Sequence, residues 1–179
     1  MPHSRGWTRL ATRVVYDTPR LRLRRDDVLR PDGDADHYDW VETPDQVRVA
    51  ALVGEQIVLI EQSHYLMGPA LQLPGGSLDQ DEDSRSAAQR ELRQETGYHG
   101  GVWASYGQLC PLPSLSPVRI HLWFARDLAA GHTEPEPAEA DLRTLRLPLT
   151  GALDAVREGR VCCAASTALI LAVSRTILP

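Results

Sequence analysis

PGGSLDQDEDSRSAAQRELRQETGY, residues 74–98, is the stretch that decides the fold. A Pro-Gly-Gly turn opens it, an acidic segment follows, and Arg-Glu-Leu-Arg-Gln-Glu leads to Gly97. From Ser84 to about Glu95, residues Ala87, Ala88, Glu91, Leu92 and Glu95 fall at helical spacing, which predicts a helix closed by Gly97. On that helix Glu91, Gln94 and Glu95 sit at i, i+3 and i+4, on one face with Cβ atoms roughly 5–6 Å apart. Carboxylates packed that closely repel unless something positive lies between them, and a hard divalent cation with oxygen ligands meets that need. The glycine turn lets backbone approach the same point, so a carbonyl of Gly75 or Gly76 can join the coordination. The competing reading is a solvated helix face, with Glu82 favoured near the helix start and Arg85, Arg90 and Arg93 pairing locally.

Outward from this stretch, strand and turn signals alternate. Toward the N-terminus, LATRVVYD and LRLRRDDVL read as edge-type strands separated by Thr18-Pro19, and PDGDAD (31–36) reads as a turn cluster. VRVAALV and QIVLIEQ are β-branched runs around Gly54-Glu55, a hairpin pattern, followed by SHYLMGPA as a loop and LQLP as a short strand. Past the helix, VWASYGQL and VRIHLWFARDL read as strands joined by the proline-rich CPLPSLSP. GHTEPEPAEAD (131–141) is an acidic loop, and LRTLRLPL a last strand. Two helices, roughly 149–158 and 164–177, end the chain around Gly159. Strands on both sides of one central helix, with a terminal helix pair, make an α/β or α+β sandwich.

At 179 residues the chain fits one domain. Residues 1–44 form a strand subregion of it and residues 45–179 the core. A net charge of −5 and a pI near 5.6 argue against coating nucleic acid or an anionic membrane. All 19 basic residues are arginine. Cys110, Cys162 and Cys163 are odd in number and two are adjacent, which disfavours a disulfide framework or a four-ligand zinc site and makes a reducing cytoplasm the expected compartment. No run approaches the 18 or more apolar residues of a membrane span, and the N-terminus lacks an apolar signal core. Ser84, Ser86 and the Ser114–Ser116 stretch show no nucleophile-elbow context, and Cys162-Cys163 reads as packing rather than catalysis.

The spacing resembles the Nudix box, G-x5-E-x7-R-E-U-x-E-E-x-G-U with U a bulky apolar residue. Gly76, Glu82, Arg90, Glu91, Leu92, Glu95, Gly97 and Tyr98 match eight of its nine fixed positions, and Gln94 stands where the family has the first Glu of the Glu-Glu pair. The resemblance implies the Nudix fold, an α/β/α sandwich of mixed sheet with a central loop-helix-loop at 76–98. It further implies that Mg²⁺ or Mn²⁺ is held by Glu91, Glu95 and the Gly75 carbonyl and activates water against a diphosphate. Gly76, Glu82, Arg90 and Gly97 then hold the motif in shape. Gln94 brings an oxygen without charge, so the cation is held more weakly or fewer cations are held.

The order of segments is similar to the ADP-ribose pyrophosphatase branch, with Pro113 fifteen residues after Tyr98 as its marker proline. That resemblance implies a homodimer with exchanged N-terminal strands, and substrate contacts at Trp7, Trp40 and His64. For the two tryptophans core or interface packing is an equal alternative. His64 replaces an Arg, Gln72 a Glu, and Pro117 and Val118 acidic residues of the branch. Among Glu134, Glu136 and Glu139 of the acidic loop, Glu139 lies nearest the following strand and is the candidate late carboxylate beside Glu91 and Glu95. The expectation is a hydrolase of a nucleoside diphosphate linked to another moiety, ADP-ribose or a nucleotide sugar first. The alternatives are a weakened domain binding a nucleotide-like ligand as a sensor or partner module, and a hydrolase of another phosphorylated metabolite.

Overall fold

A computed structural model describes residues 6–134 and 136–177. Contacts divide the chain into two compact units, one of residues up to 44 with 112–118, the other of 45–111 with 119 onward.

In the first unit β1 (Thr8–Asp17), β2 (Arg22–Leu29) and β3 (Ala35–Glu42) form an antiparallel meander in that order. The Thr18 hydroxyl closes the first turn by accepting from the Arg20 and Leu21 amides at 3.3 and 3.1 Å. The PDGDAD turn is shorter than expected: Leu29 pairs with Ala35 and Val28 with Asp36, so the ladder already runs through the end of that segment. Tyr38 donates its hydroxyl to the Ser114 carbonyl at 2.6 Å and the Val41 amide donates to Leu115, tying the 112–118 loop to β3.

The second unit holds a six-stranded mixed sheet of β4 (Gln46–Val53), β5 (Gln56–His64), β6 (Gly68–Gln72), β7 (Val102–Leu109), β8 (Ile120–Arg126) and β9 (Arg143–Pro148). Its order is β6-β5-β4-β8-β7, with β9 on β5 and the β4–β8 pair parallel. Helix α1 (Ser84–Thr96) packs through Ala87, Ala88 and Leu92 on Val47, Val49 and Ala51. On the other face α2 (Leu149–Arg157) and α3 (Ala164–Ile177) bury Ala152, Leu169, Ile170 and Val173 against Ala50, Ile57 and Leu59. Both faces of β4 and β5 are therefore covered, which is why VRVAALV and IVLI read as near-continuous apolar runs rather than alternating ones. The result is the α/β/α sandwich expected of the Nudix fold.

SHYLMGPA is not a loop throughout. Ser63 and His64 continue β5 against Pro69 and Gly68, leaving only Tyr65 to Met67 as the turn. Pro69 lies in β6, the edge strand, where a missing N–H is tolerated.

Candidate active site

β4 and β5 pair only at Leu52–Ile57 and Val53–Gln56. Where they part, residues 74–77 run beside β4: Val49 and Val47 donate to the Pro74 and Gly76 carbonyls, each at 2.9 Å, and Gln46 bridges Ser77. The fit requires glycine. Gly75 has φ +144°, and a Cβ on it would lie 2.2 Å from the Val47 carbonyl oxygen. Helix α1 then starts at Asp83, whose carboxylate accepts from the Arg85 and Ser86 amides at 3.0 and 3.1 Å. It ends at Gly97 in the left-handed conformation.

The helix presents its carboxylates to that turn. The Gly75 amide donates to Glu95 Oε2 at 2.8 Å, and a Cβ on Gly76 would sit 2.5 Å from Glu91 Oε1. Arg90 is the hub beneath. It grips Glu82 with Nε at 3.0 Å and Nη2 at 2.8 Å, donates from Nη2 to the Ser77 carbonyl, and reaches Glu91 Oε1 with Nη1 at 2.8 Å. The same Nη1 donates to Gln94 Oε1 at 3.2 Å. Gln94 thus spends its oxygen on the hub, while Glu91 Oε2 and Glu95 Oε1 take no protein hydrogen bond among the described residues.

Burial dominates the electrostatics. Glu95 is only 3% exposed, and its carboxyl is pushed up to about 8 by desolvation, with Glu91 and Glu139 adding to the push and the Gly75 amide and Arg48 opposing it. Burial also raises Glu91, against the pull of Arg90, and Glu139 and Glu136 raise it further. Glu82, by contrast, is held below the usual carboxylate range by its Arg90 hydrogen bonds.

The acidic loop reaches the site because it is pinned to the open end of α1. The Glu134 amide donates to the Gln94 carbonyl at 2.8 Å, and the Thr144 hydroxyl to the Glu95 carbonyl at 3.3 Å. A short 3-10 turn, Pro137–Glu139, is closed by a reciprocal cap in which the Glu136 amide donates to Glu139 Oε2 at 3.0 Å. Of the loop carboxylates, Glu139 acts electrostatically on both Glu91 and Glu95, and Glu136 on Glu91.

No cluster of three or more His, Cys, Asp or Glu side chains able to hold a metal occurs among the described residues. The donors that do converge are all oxygen, from two carboxylates lifted above their usual range by burial. They fit a cation that keeps several waters and takes one or two carboxylates, as Mg²⁺ does.

The remaining candidates are His64, Trp7 and Trp40, each with its own surroundings. His64 ends β5 with its Nε2 buried and without a hydrogen-bond partner among the described residues, beside Asp141, which accepts from the Ser63 amide. Trp7 and Trp40 belong to the N-terminal unit. Trp7 meets Tyr38 edge-on, centroids 5.5 Å apart, at a cleft of about 630 Å³ with Arg9, Asp26 and Pro113. Trp40 lies under the guanidinium groups of Arg9 and Arg24, 5.8 and 5.6 Å from its ring centre. Asp26 is buried there; desolvation raises it, but Thr12, Trp40 and Arg9 more than offset this and leave it below the usual range. Two residues escaped the sequence reading. Arg48 had a signal, a single charge inside an apolar strand; Asp26 had none.

Comparison with known proteins identifies the family. The NUDIX domain matches residues 42–160, and the nucleoside diphosphate sugar hydrolase N-terminal domain matches residues 7–41. A methanol dehydrogenase activator of Bacillus methanolicus is 30% identical, the match covering 85% of this chain and 84% of that protein. An ADP-ribose pyrophosphatase of Mycobacterium tuberculosis is also 30% identical, over 92% of this chain and 81% of the relative. A CMP-5'-(N-acetyl-N-hydroxy-3-aminopropyl)phosphonate hydrolase of Streptomyces rubellomurinus is 29% identical, over 93% and 82%. A solved structure described as an ADP compounds hydrolase shares the fold with a TM-score of 0.85 at 21% identity, covering 96% of this chain and 94% of that one. The chain belongs to the NUDIX domain family.

Proposed function

We propose that this chain is a metal-dependent pyrophosphohydrolase cleaving the diphosphate of a nucleoside diphosphate linked to another moiety, with ADP-ribose or a nucleotide sugar as the substrate class. The observation that carries the reading is the convergence of Glu91 and Glu95 on the Gly75-Gly76 turn with Glu139 brought in from the acidic loop. Glu91 Oε2, Glu95 Oε1 and the Gly75 carbonyl are the atoms that would hold Mg²⁺ or Mn²⁺. A bound cation there supplies charge to offset the diphosphate and to lower the pKa of water. Arg90 keeps Glu91 in place, and the Gly75 amide does the same for Glu95. Glu139 takes the proton of the attacking water as its oxygen bonds to phosphorus, the anhydride P–O bond breaks, and two phosphomonoesters leave. Names of relatives support the substrate class, since an ADP-ribose pyrophosphatase and a CMP-phosphonate hydrolase both act on nucleotide conjugates.

The test is hydrolysis of ADP-ribose, sugar nucleotides, dinucleoside polyphosphates and nucleoside triphosphates with Mg²⁺ or Mn²⁺ and with chelator. Turnover of one class, abolished by chelator and by Glu95→Gln, is expected; full metal-dependent activity in both Glu91→Gln and Glu95→Gln would refute the assignment. Gln94 favours a second reading. Gln94 leaves the helix face with two carboxylates and commits its own oxygen to Arg90, as in a domain that binds a nucleotide without cleaving it. Binding without turnover in a folded sample would select that reading.

A homodimer is part of the proposal. Every residue of β1 is exposed, Leu10, Val14, Val15 and Tyr16 among them, and β1 is the edge of its sheet. Light scattering that shows a monomer at micromolar concentration would remove it.

A further inference from the structure

Gln72 is the last residue of β6, three before Gly75. Leu71 and Leu73 on either side of it are buried in the core beneath α2 and α3, so strand alternation turns the Gln72 side chain to the opposite face, the one that α1 covers. Its neighbours there are fixed by register. Gln72 stands opposite Ile60, and Ile60 stands opposite Thr144, so the three side chains form one row across β6, β5 and β9. The far end of that row is at the site, where the Thr144 hydroxyl donates to the Glu95 carbonyl at 3.3 Å. Two strand spacings, roughly 9–10 Å, separate Gln72 from Thr144. The chain leaving Gln72 becomes the turn whose Gly75 amide holds Glu95. Sheet register and chain direction thus place Gln72 beside the carboxylates by two independent routes.

The polar head of this side chain is idle. Gln72 is only 5% exposed, and its carboxamide makes no hydrogen bond among the described residues. A buried amide without a partner costs folding free energy that an apolar side chain of similar size would not. Its row offers no partner, since Ile60 is apolar and Thr144 is committed to Glu95. A carboxamide carries two N–H donors and no charge. Beside Glu91 and Glu95 that chemistry suits an anion, because an N–H meets a phosphoryl oxygen in a charge-assisted hydrogen bond where one more carboxylate would repel it.

We propose that Gln72 is a substrate-binding residue whose amide donates to an oxygen of the diphosphate at the turn where Glu91 and Glu95 converge. This rests on the pyrophosphohydrolase reading for its substrate, but the ligand chemistry, a diphosphate, can be tested without turnover. The residue is then kept at the expense of the free protein's stability. Replacing it by an apolar side chain separates the two effects, because ligand binding is lost while the fold is not weakened; a residue that served packing alone would show the opposite.

The experiment measures inorganic pyrophosphate binding by titration calorimetry in Mg²⁺, and thermal melts in chelator, for the wild type, Gln72→Leu and Gln72→Glu. Gln72→Leu should weaken pyrophosphate about 10- to 100-fold, the range for a lost hydrogen bond to a charged group. Its Tm without ligand should stay level or rise by roughly 2–4 °C, as an unmade amide gives way to an apolar group. Gln72→Glu keeps the shape but sets a charge against the phosphate, so it should bind at least as weakly; a side chain that served a sugar hydroxyl instead would keep its acceptor in this variant. Pyrophosphate bound within twofold of wild type by either folded variant overturns the proposal, as does a wild type that binds none, or a loss of binding in Gln72→Leu that comes with a lower Tm. Should neither variant fold, the side-chain amide resonance of Gln72 in the wild type decides: pyrophosphate at constant Mg²⁺ should shift it, and an unmoved signal overturns the proposal. A wild type that hydrolyses nothing yet binds pyrophosphate through Gln72 fails the hydrolase reading and keeps this one; hydrolysis with KM and kcat unchanged in Gln72→Leu does the reverse.

Discussion

Glu95→Gln should make the metal-free protein more stable at alkaline pH, and the size of the effect follows from burial. Glu95 titrates near 4.5 when solvated and is pushed up to about 8 in the fold. Below pH 4.5 the carboxyl is protonated in folded and unfolded chains alike, so it contributes no pH dependence. As pH rises, the unfolded chain releases the proton while the folded chain retains it, so stability falls across this window and levels off above pH 8. At ~1.4 kcal/mol per pH unit the total is on the order of 4–5 kcal/mol. For a chain of this size that amounts to roughly 10–20 °C in Tm. The amide introduced by Glu95→Gln still offers an oxygen to the Gly75 N–H but has no proton to release. Thermal melts in chelator from pH 5 to 8 should therefore show the two proteins converging near pH 5 and the variant ahead at pH 8. Glu91, raised in the same direction, contributes a slope of the same sign that the variant keeps. Saturating Mg²⁺ should flatten the wild-type slope, because a cation bound to the ionised pair stabilises only the folded state. A difference between wild type and variant that does not change from pH 5 to 8 would refute the claim that Glu95 is desolvated.

Further outcomes follow from the same geometry. Gly75→Ala places a Cβ 2.2 Å from the Val47 carbonyl at φ +144°, and should cost about 3 kcal/mol or more in urea denaturation while Gly33→Ala, with open space around it, costs far less. Gln94→Glu adds a carboxylate beside Glu91 and Glu95 and should tighten Mn²⁺ binding about tenfold by paramagnetic resonance titration, even as it changes the Arg90 hub. Glu139→Gln should lower kcat by about 10²-fold or more with little change in metal affinity, while Glu136→Gln, which acts on Glu91 alone, should lower it far less; equal losses would show that neither carboxylate is the base.

The central helix, its cap and the carboxylate face were legible in residues 74–98 because a loop-helix-loop is a local structure. Glu91, Glu95 and Gly97 lie close together in the chain, so periodicity and the need for glycine speak directly; the N-cap Asp83 emerged only from its hydrogen bonds to the Arg85 and Ser86 amides. The β4–β5 hairpin and the terminal helices were legible for the same reason. SHYLMGPA failed because its strand character comes from pairing with β5, which tolerates Pro69 only at an edge. Gln94 was visible as a missing charge, but its turn toward Arg90 was not, since that depends on where Arg90 already stands between Glu82 and Glu91.

What the sequence by itself determined was therefore the motif: a glycine turn, a capped helix and two carboxylates on one face, all set by φ preferences and a 3.6-residue period. What only the tertiary structure decided was the company those carboxylates keep. Glu139 stands more than forty residues from Glu91 and Glu95; it acts on them because the acidic loop is hydrogen-bonded to the end of α1, and the turn they face is held because residues 74–77 run alongside β4 where β5 departs. Contacts of that kind carry no period in the chain. They arise from which strand edges and helix ends are left open, and that is settled only once the sheet has formed and buried both its faces.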